Sequence, residues 1–211
     1  MLLAHAPDGI ATLRVPGPSD PLRVLVSGCL AGLPCGVDGT DYGMGGALGD
    51  LLSLPTLRAT WFCPEDHGIG TPRTMPDIHG GDGFDVLDGR ARVLDERGVD
   101  LTERMLLGAQ GMLAHARAHD IELAILTDMS AACGSQVVSD GCRFADDRRY
   151  RAGVGVATAL LLRSGVCVVS QRDHRTLDRL CARLDPAHSV DPSKADHHET
   201  AWYVGYFRPA G

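Results

Sequence analysis

The chain has 211 residues and a mass of 22.4 kDa, the size of one medium domain with at most a short appendage. With 44% hydrophobic and 22% charged residues it can bury a core, and it is too apolar for a disordered chain. A formal charge of −7 excludes the broad basic surface that phosphate neutralisation needs, so nucleic acid is not an expected partner.

The opening, MLLAHAPDGIATLRVPGPSD, lacks a basic n-region, and Pro7 and Asp8 interrupt its short apolar start. It is neither a signal peptide nor a membrane span. A cytoplasmic location is expected, with no membrane partner, and the seven cysteines are not expected to pair in that reducing compartment. Residues 1–21 read as an N-terminal leader, 22–184 as an α/β domain, and 185–211 as a C-terminal extension with an aromatic segment.

In chain order, LRVLVSG (22–28) reads as a buried parallel strand, followed by a Gly- and Asp-rich loop. ALGDLLSLP is a short helix closed by Pro55, and ATWF is the second strand. Residues 64–89 hold many Gly, Pro and Asp and little periodicity, a long loop of the kind that is functional or disordered. DVLDGRARVLDERGVD suggests a hairpin turning at Asp88-Gly89. The clearest helix is DLTERMLLGAQGMLAHARAHD, which Thr102 can cap, with Leu106, Met112 and Leu113 near one face. IELAILTD is a third strand, RAGVGVATALLLRSG a second long helix ended by Gly165, and VCVVS a fourth strand. Strands alternating with helices predict an α/β fold with a mostly parallel sheet flanked by helices. In the extension, Trp202, Tyr203, Tyr206 and Phe207 predict docking on the chain's own domain or on a second subunit.

Three cysteines fall on strand ends. Cys29 follows the first strand, Cys63 ends the second, and Cys133 lies a few residues past the third. Parallel strands end at one sheet edge, where ligands bind, so these thiols converge on one pocket. Cys35 is close enough to Cys29 to be a reserve ligand. Cys167 alternates inside a strand and Cys181 lies in the amphipathic helix TLDRLCARL, so both are expected in the core, and Cys142 sits in a loop. Convergent thiolates serve zinc, an iron–sulfur cluster with an open iron, or nucleophilic catalysis. No CxxC spacing favours zinc here, and inert buried thiols explain the spacing as well as a functional site does.

VSGCLAG, VDG, FCPE, TPRTMPDIHGGDGFDVLDGRARVLDERGVDLTERMLLGA, AILTDMSAACG and GVGVATALLLRSGVCVVS, in this order, resemble the 2-thiouracil desulfurase family. The resemblance implies a Rossmann-like α/β domain carrying a [4Fe–4S] cluster held by Cys29, Cys63 and Cys133. It implies Glu65, of the C-P-E motif, and Ser130 as catalytic residues. The implied reaction turns thiouracil and water into uracil and sulfide without net redox chemistry, the substrate sulfur bound to the open iron. The implied partner is a small thiolated pyrimidine, as base or nucleoside. An iron–sulfur or zinc sensor without turnover is the alternative, favoured if Cys35 closes the cluster.

The chain also departs from the family pattern. Thr127 stands where a lysine is common, Ala131 and Ala132 replace a proline and a serine, and Gln171 follows the last strand in place of a glutamate. Taken by themselves, Glu65 reads as a loop carboxylate and Ser130 as a turn or cap hydroxyl. Arg73 can bind a polar ring edge or the loop. His197 and His198 read as a hydrated tail.

Overall fold

The computed structural model describes residues 7–207; the beginning of the expected leader (1–6) and the end of the expected extension (208–211) lie outside the described residues. In chain order the elements are α1 (Pro7–Ala11), β1 (Leu22–Ser27), β2 (Leu57–Phe62), α2 (Pro64–Gly68), β3 (Asp77–His79), α3 (Gly83–Leu87), β4 (Arg92–Leu94), α4 (Thr102–Ala118), β5 (Leu123–Leu126), β6 (Val137–Ser139), β7 (Tyr150–Ala152), α5 (Val156–Arg163), β8 (Cys167–Ser170), α6 (His174–Leu184) and α7 (Ala201–Phe207).

Four strands form a central sheet in the order β2-β1-β5-β8, every neighbouring pair parallel. The apolar runs Val24–Val26 of β1 and Leu123–Leu126 of β5 follow from burial on both faces. Leu25, Ala124 and Leu126 face a core shared with α4 and α5. Leu22, Val24, Val26, Leu123 and Ile125 face a second core, built with Leu177, Leu180 and Leu184 of α6 and Ile10 of α1. The mixed α/β architecture with helices flanking a parallel sheet is as expected. All four strands therefore deliver their C-terminal ends to one edge.

Helix α4 buries Met105, Gly108, Ala109, Met112, Leu113 and Ala116, the spacing of a single apolar stripe. Two glycines let the short α2 lie directly on it. A Cβ at Gly108 would stand 2.0 Å from Pro64 O, and one at Gly68 would stand 2.0 Å from Arg104 O. Only residues without a side chain allow this approach, which sets the position of the segment that begins at Cys63.

Several local expectations are corrected. Residues 83–87 form a helix, not the first arm of a hairpin. Asp82 accepts the N–H groups of Phe84 and Asp85 while Asp85 accepts the N–H of Asp82, a reciprocal cap that nucleates α3. Asp88-Gly89 ends that helix, and β4 pairs antiparallel with β3. The expected loop 64–89 thus contains α2, β3 and α3. Thr102 is not the cap of α4: its hydroxyl accepts the Val93 N–H at 2.9 Å, and Leu101 holds the cap position. ALGDLLSLP contributes a 3-10 turn over Gly49–Ser53 and not an α-helix. The extension docks on its own domain, with Tyr203 buried and the Tyr206 hydroxyl accepting the Tyr150 N–H at 2.9 Å. No described helix is long and apolar enough to cross a membrane.

Candidate active site

At the C-terminal edge of the sheet lies a cavity of about 310 Å³, lined by Cys29, Cys35, Cys63, Cys133, Glu65 and Ser130 among others. Every residue singled out in the sequence as a site candidate reaches it. Each arrives by a separate local device. Ser27 ends β1, and the chain turns at once into a 3-10 segment that carries Cys29. Phe62 ends β2, and Cys63 caps α2, its Sγ accepting the Asp66 N–H at 3.3 Å. Pro64 stands at the first helical position, where its missing N–H costs nothing, and Glu65 follows. Beyond β5, the loop 127–136 carries Thr127, Ser130 and Cys133.

The fourth cysteine is the one that spacing ranked as a reserve. Cys35 is buried, and its thiol hydrogen-bonds to both Cys29 and Cys63. That donation is the main reason Cys29 is lowered to about 7, against opposing burial and with help from Thr127. Thr127 Oγ1 lies 3.0 Å from Cys29 Sγ. Cys63 is lowered by the same Cys35 thiol, and Cys35, the shared donor, is raised. Cys133 is raised well above an ordinary thiol, first by burial and then by the nearby Cys63 charge. Cys142, Cys167 and Cys181 do not reach the cavity; the last two pack at the margin of the second core.

Glu65 is not a loose loop carboxylate. Its Oε1 accepts the Ser130 hydroxyl at 2.8 Å, and its Oε2 accepts Arg73 Nη2 at 2.6 Å and Nε at 3.2 Å. Side-chain exposures of 4% for Arg73 and 12% for Glu65 place this pair out of bulk water. Arg73 Nη1 also donates to Cys35 O at 3.0 Å and Gly70 O at 3.1 Å, so one guanidinium ties the carboxylate to two loops. Ser130 Oγ accepts the N–H groups of Ala132 and Cys133, at 3.1 and 3.0 Å. The hydroxyl that closes this turn is therefore the same group that donates to Glu65. Ser130, Glu65 and Arg73 form a continuous chain of hydrogen bonds opening on the cavity beside the thiols.

Arg73 as an anchor for Glu65 was not legible in the sequence beyond its position as a lone charge between proline and threonine. The other residue sequence reasoning missed is His197. Far from hydrated, it is buried, with Nδ1 2.6 Å from Asp128 Oδ2.

A family model described as 2-thiouracil desulfurase matches residues 24–173. The chain belongs to the 2-thiouracil desulfurase family. Within that matched segment lie all four pocket cysteines, Glu65, Arg73 and Ser130. The uncharacterized protein YbbK of Bacillus subtilis (strain 168) is 34% identical over 153 residues, which cover 71% of this chain and 96% of that protein. A solved structure described as the [4Fe-4S]-dependent thiouracil desulfidase TudS superposes with a TM-score of 0.58 at 35% identity, covering 71% of this chain and 90% of that one.

Proposed function

We propose that this desulfurase family member removes sulfur from thiolated pyrimidines such as 2-thiouracil, base or nucleoside, with Cys29, Cys63 and Cys133 holding a [4Fe–4S] cluster, Glu65 moving the proton and Ser130 orienting it. The observation that carries this reading is the opening of three strand-end thiols and the Ser130–Glu65–Arg73 chain onto one cavity. The donor set fits such a cluster. Soft thiolates select iron–sulfur centres or zinc. Among the described residues, the cysteine sulfurs form no group of three within 4.8 Å of one another; the group that does is Asp173, Asp196 and His198. Four thiolates on one zinc, each at about 2.3 Å, stand less than about 4 Å apart. A cube with one cysteine per iron spreads its ligands more widely.

When bound, the cluster supplies an open iron that takes the thiocarbonyl sulfur and makes its carbon electrophilic. The protein supplies the proton path. Overall, thiouracil and water give uracil and sulfide; a C–S bond is replaced by C–O, and no electrons are gained or lost. Arg73 occupies Oε2 of Glu65, which leaves Oε1 as the oxygen that gains a proton. The Ser130 hydroxyl donates to Oε1 while both of its lone pairs receive backbone N–H groups, so it fixes the carboxylate, and Oε1 itself takes the proton of the attacking water. The same proton returns along this path to the departing sulfur or the ring. Gln171 fixes its Oε1 on the Asp128 N–H at 2.6 Å, and its amide N–H groups remain for a ring carbonyl. That donor replaces the acceptor a glutamate would offer.

Cys35 favours a second reading, because a fourth thiol in the cavity can close the cluster and leave a binding protein without turnover. The two are separated by anaerobic reconstitution. We expect about four iron and four sulfide per chain, release of sulfide from 2-thiouracil, and loss of iron in Cys29→Ala, Cys63→Ala and Cys133→Ala. We expect Glu65→Gln and Ser130→Ala to keep the iron and lose turnover by about a hundredfold or more. A full complement of iron without turnover supports the second reading; full iron in any of the three cysteine variants refutes the ligand assignment.

A further inference from the structure

The family model ends at residue 173, yet the chain beyond it reaches back to the cavity wall. Asp128 lies between Thr127 and Met129 at the start of the loop that carries Ser130 and Cys133. One of its carboxylate oxygens, Oδ1, accepts the N–H groups of Ser135, Gln136 and Val137, at 2.9, 3.0 and 3.2 Å. Those bonds close the loop on itself. The other oxygen, Oδ2, accepts from His197 Nδ1 at 2.6 Å, its one partner among the described residues, and the two side chains are 0% and 4% exposed. Next in sequence, Met129 holds a left-handed φ of 62°, a conformation that a side-chain-bearing residue keeps only where its neighbours impose it.

His197 is itself held firmly. Its backbone N–H donates to Asp173 Oδ1 at 3.2 Å, the carboxylate that also receives the side-chain amide of Gln136 from the loop. Its ring stacks on Trp202 with centroids 5.6 Å apart and planes at 11°, and meets Tyr203 edge-on. The preceding Asp196 accepts the N–H and hydroxyl of Thr176, at 2.8 and 2.7 Å, which pins the segment to α6. Resting on the desulfurase reading of the cavity, we propose that His197 is a positioning residue: through Asp128 it holds the 128–137 loop, and with it Ser130 and Cys133, in the working arrangement. The C-terminal extension is thus a brace for the site. Among its described residues, none lines the cavity.

His197→Phe tests this, because it keeps a ring to stack on Trp202 and removes the donor to Asp128. In the reconstituted enzyme we expect iron uptake to persist while kcat and the lifetime of the cluster absorbance in air each fall by about ten- to a hundredfold, with KM nearly unchanged. His197→Asn, whose amide N–H can stand where Nδ1 stands, restores most of both. Cluster-free protein gives an independent readout. Maleimide labelling of the buried Cys133 accelerates by about tenfold or more in His197→Phe, as the loop opens, while Cys142 labels at an unchanged rate. Wild-type kcat, bleaching and Cys133 labelling in His197→Phe overturn the proposal, as does an Asn variant no better than Phe. If wild-type protein binds no iron, the desulfurase reading fails, and Cys133 labelling still decides whether His197 holds the loop. Should His197→Phe not fold, Thr176→Val, which removes one of the donors to Asp196, is read the same way: faster Cys133 labelling supports the brace and an unchanged rate overturns it.

Discussion

Replacing Arg73 with methionine removes the cation paired with Glu65 and leaves a side chain of similar length. In the native protein the guanidinium makes two bonds to Glu65 Oε2, at 2.6 and 3.2 Å, and further bonds to Cys35 O, Gly70 O and Thr71 Oγ1, at 3.0, 3.1 and 3.0 Å. With the arginine side chain 4% exposed, water does not readily replace these partners. Removing one member of a buried ion pair costs about 3–5 kcal/mol, because the remaining charge stays buried without compensation. Against a total of about 5–15 kcal/mol this is a large fraction of the fold's stability. For an m-value of about 2 kcal/mol/M, a loss of about 4 kcal/mol lowers the urea midpoint of the cluster-free protein by about 2 M. In a Glu65→Gln background there is no charge to strand, so the same substitution costs less, with a coupling of about 2 kcal/mol. Arg73→Lys keeps the charge and loses the fork, and it recovers only part of the loss. A midpoint shift below about 0.5 M, or an identical cost in the Glu65→Gln background, refutes the claim that Arg73 holds the carboxylate in place.

Gly108→Ala forces a Cβ to 2.0 Å from Pro64 O, so α2 must move away from α4 and carry Glu65 from Ser130. We expect a loss of about 1–3 kcal/mol in thermal or urea unfolding and a drop in kcat at unchanged iron content; Gly205→Ala, where a Cβ meets nothing within 4 Å, is the control with native kcat. Native kcat in Gly108→Ala refutes the coupling of helix packing to the site. In cluster-free protein, we expect Cys29 to titrate at about 7, below the ordinary thiol value of about 8.5, because the Cys35 thiol donates to it. Its thiolate fraction therefore rises as pH rises through that value, and iodoacetamide labelling of Cys29, mapped by mass, should reach half its plateau there. Cys35→Ala moves that midpoint upward, and a wild-type midpoint near the free-thiol value of about 8.5 removes Cys35 as its cause.

What the sequence by itself determined is the frame and the donors. Apolar runs of β1, β2, β5 and β8, separated by helices, dictate a parallel sheet, and a parallel sheet brings Cys29, Cys63 and Cys133 to one edge wherever the helices settle. Glu65 is carried along because it is bonded to the same strand end, through Pro64. These are consequences of chain direction and short-range connectivity, which a sequence displays. Local competition was harder to read. The Asp88-Gly89 dipeptide signals a hairpin, but the reciprocal cap between Asp82 and Asp85 makes the preceding residues helical, so the glycine terminates a helix. Only the tertiary structure decided which polar groups meet. Glu65 and Ser130 are 65 residues apart, Asp128 and His197 69 apart, and nothing in the spacing of either pair announces a bond. Such pairs form because burial strips water from a carboxylate, and the packed chain must then supply a donor from whatever segment the fold lays beside it.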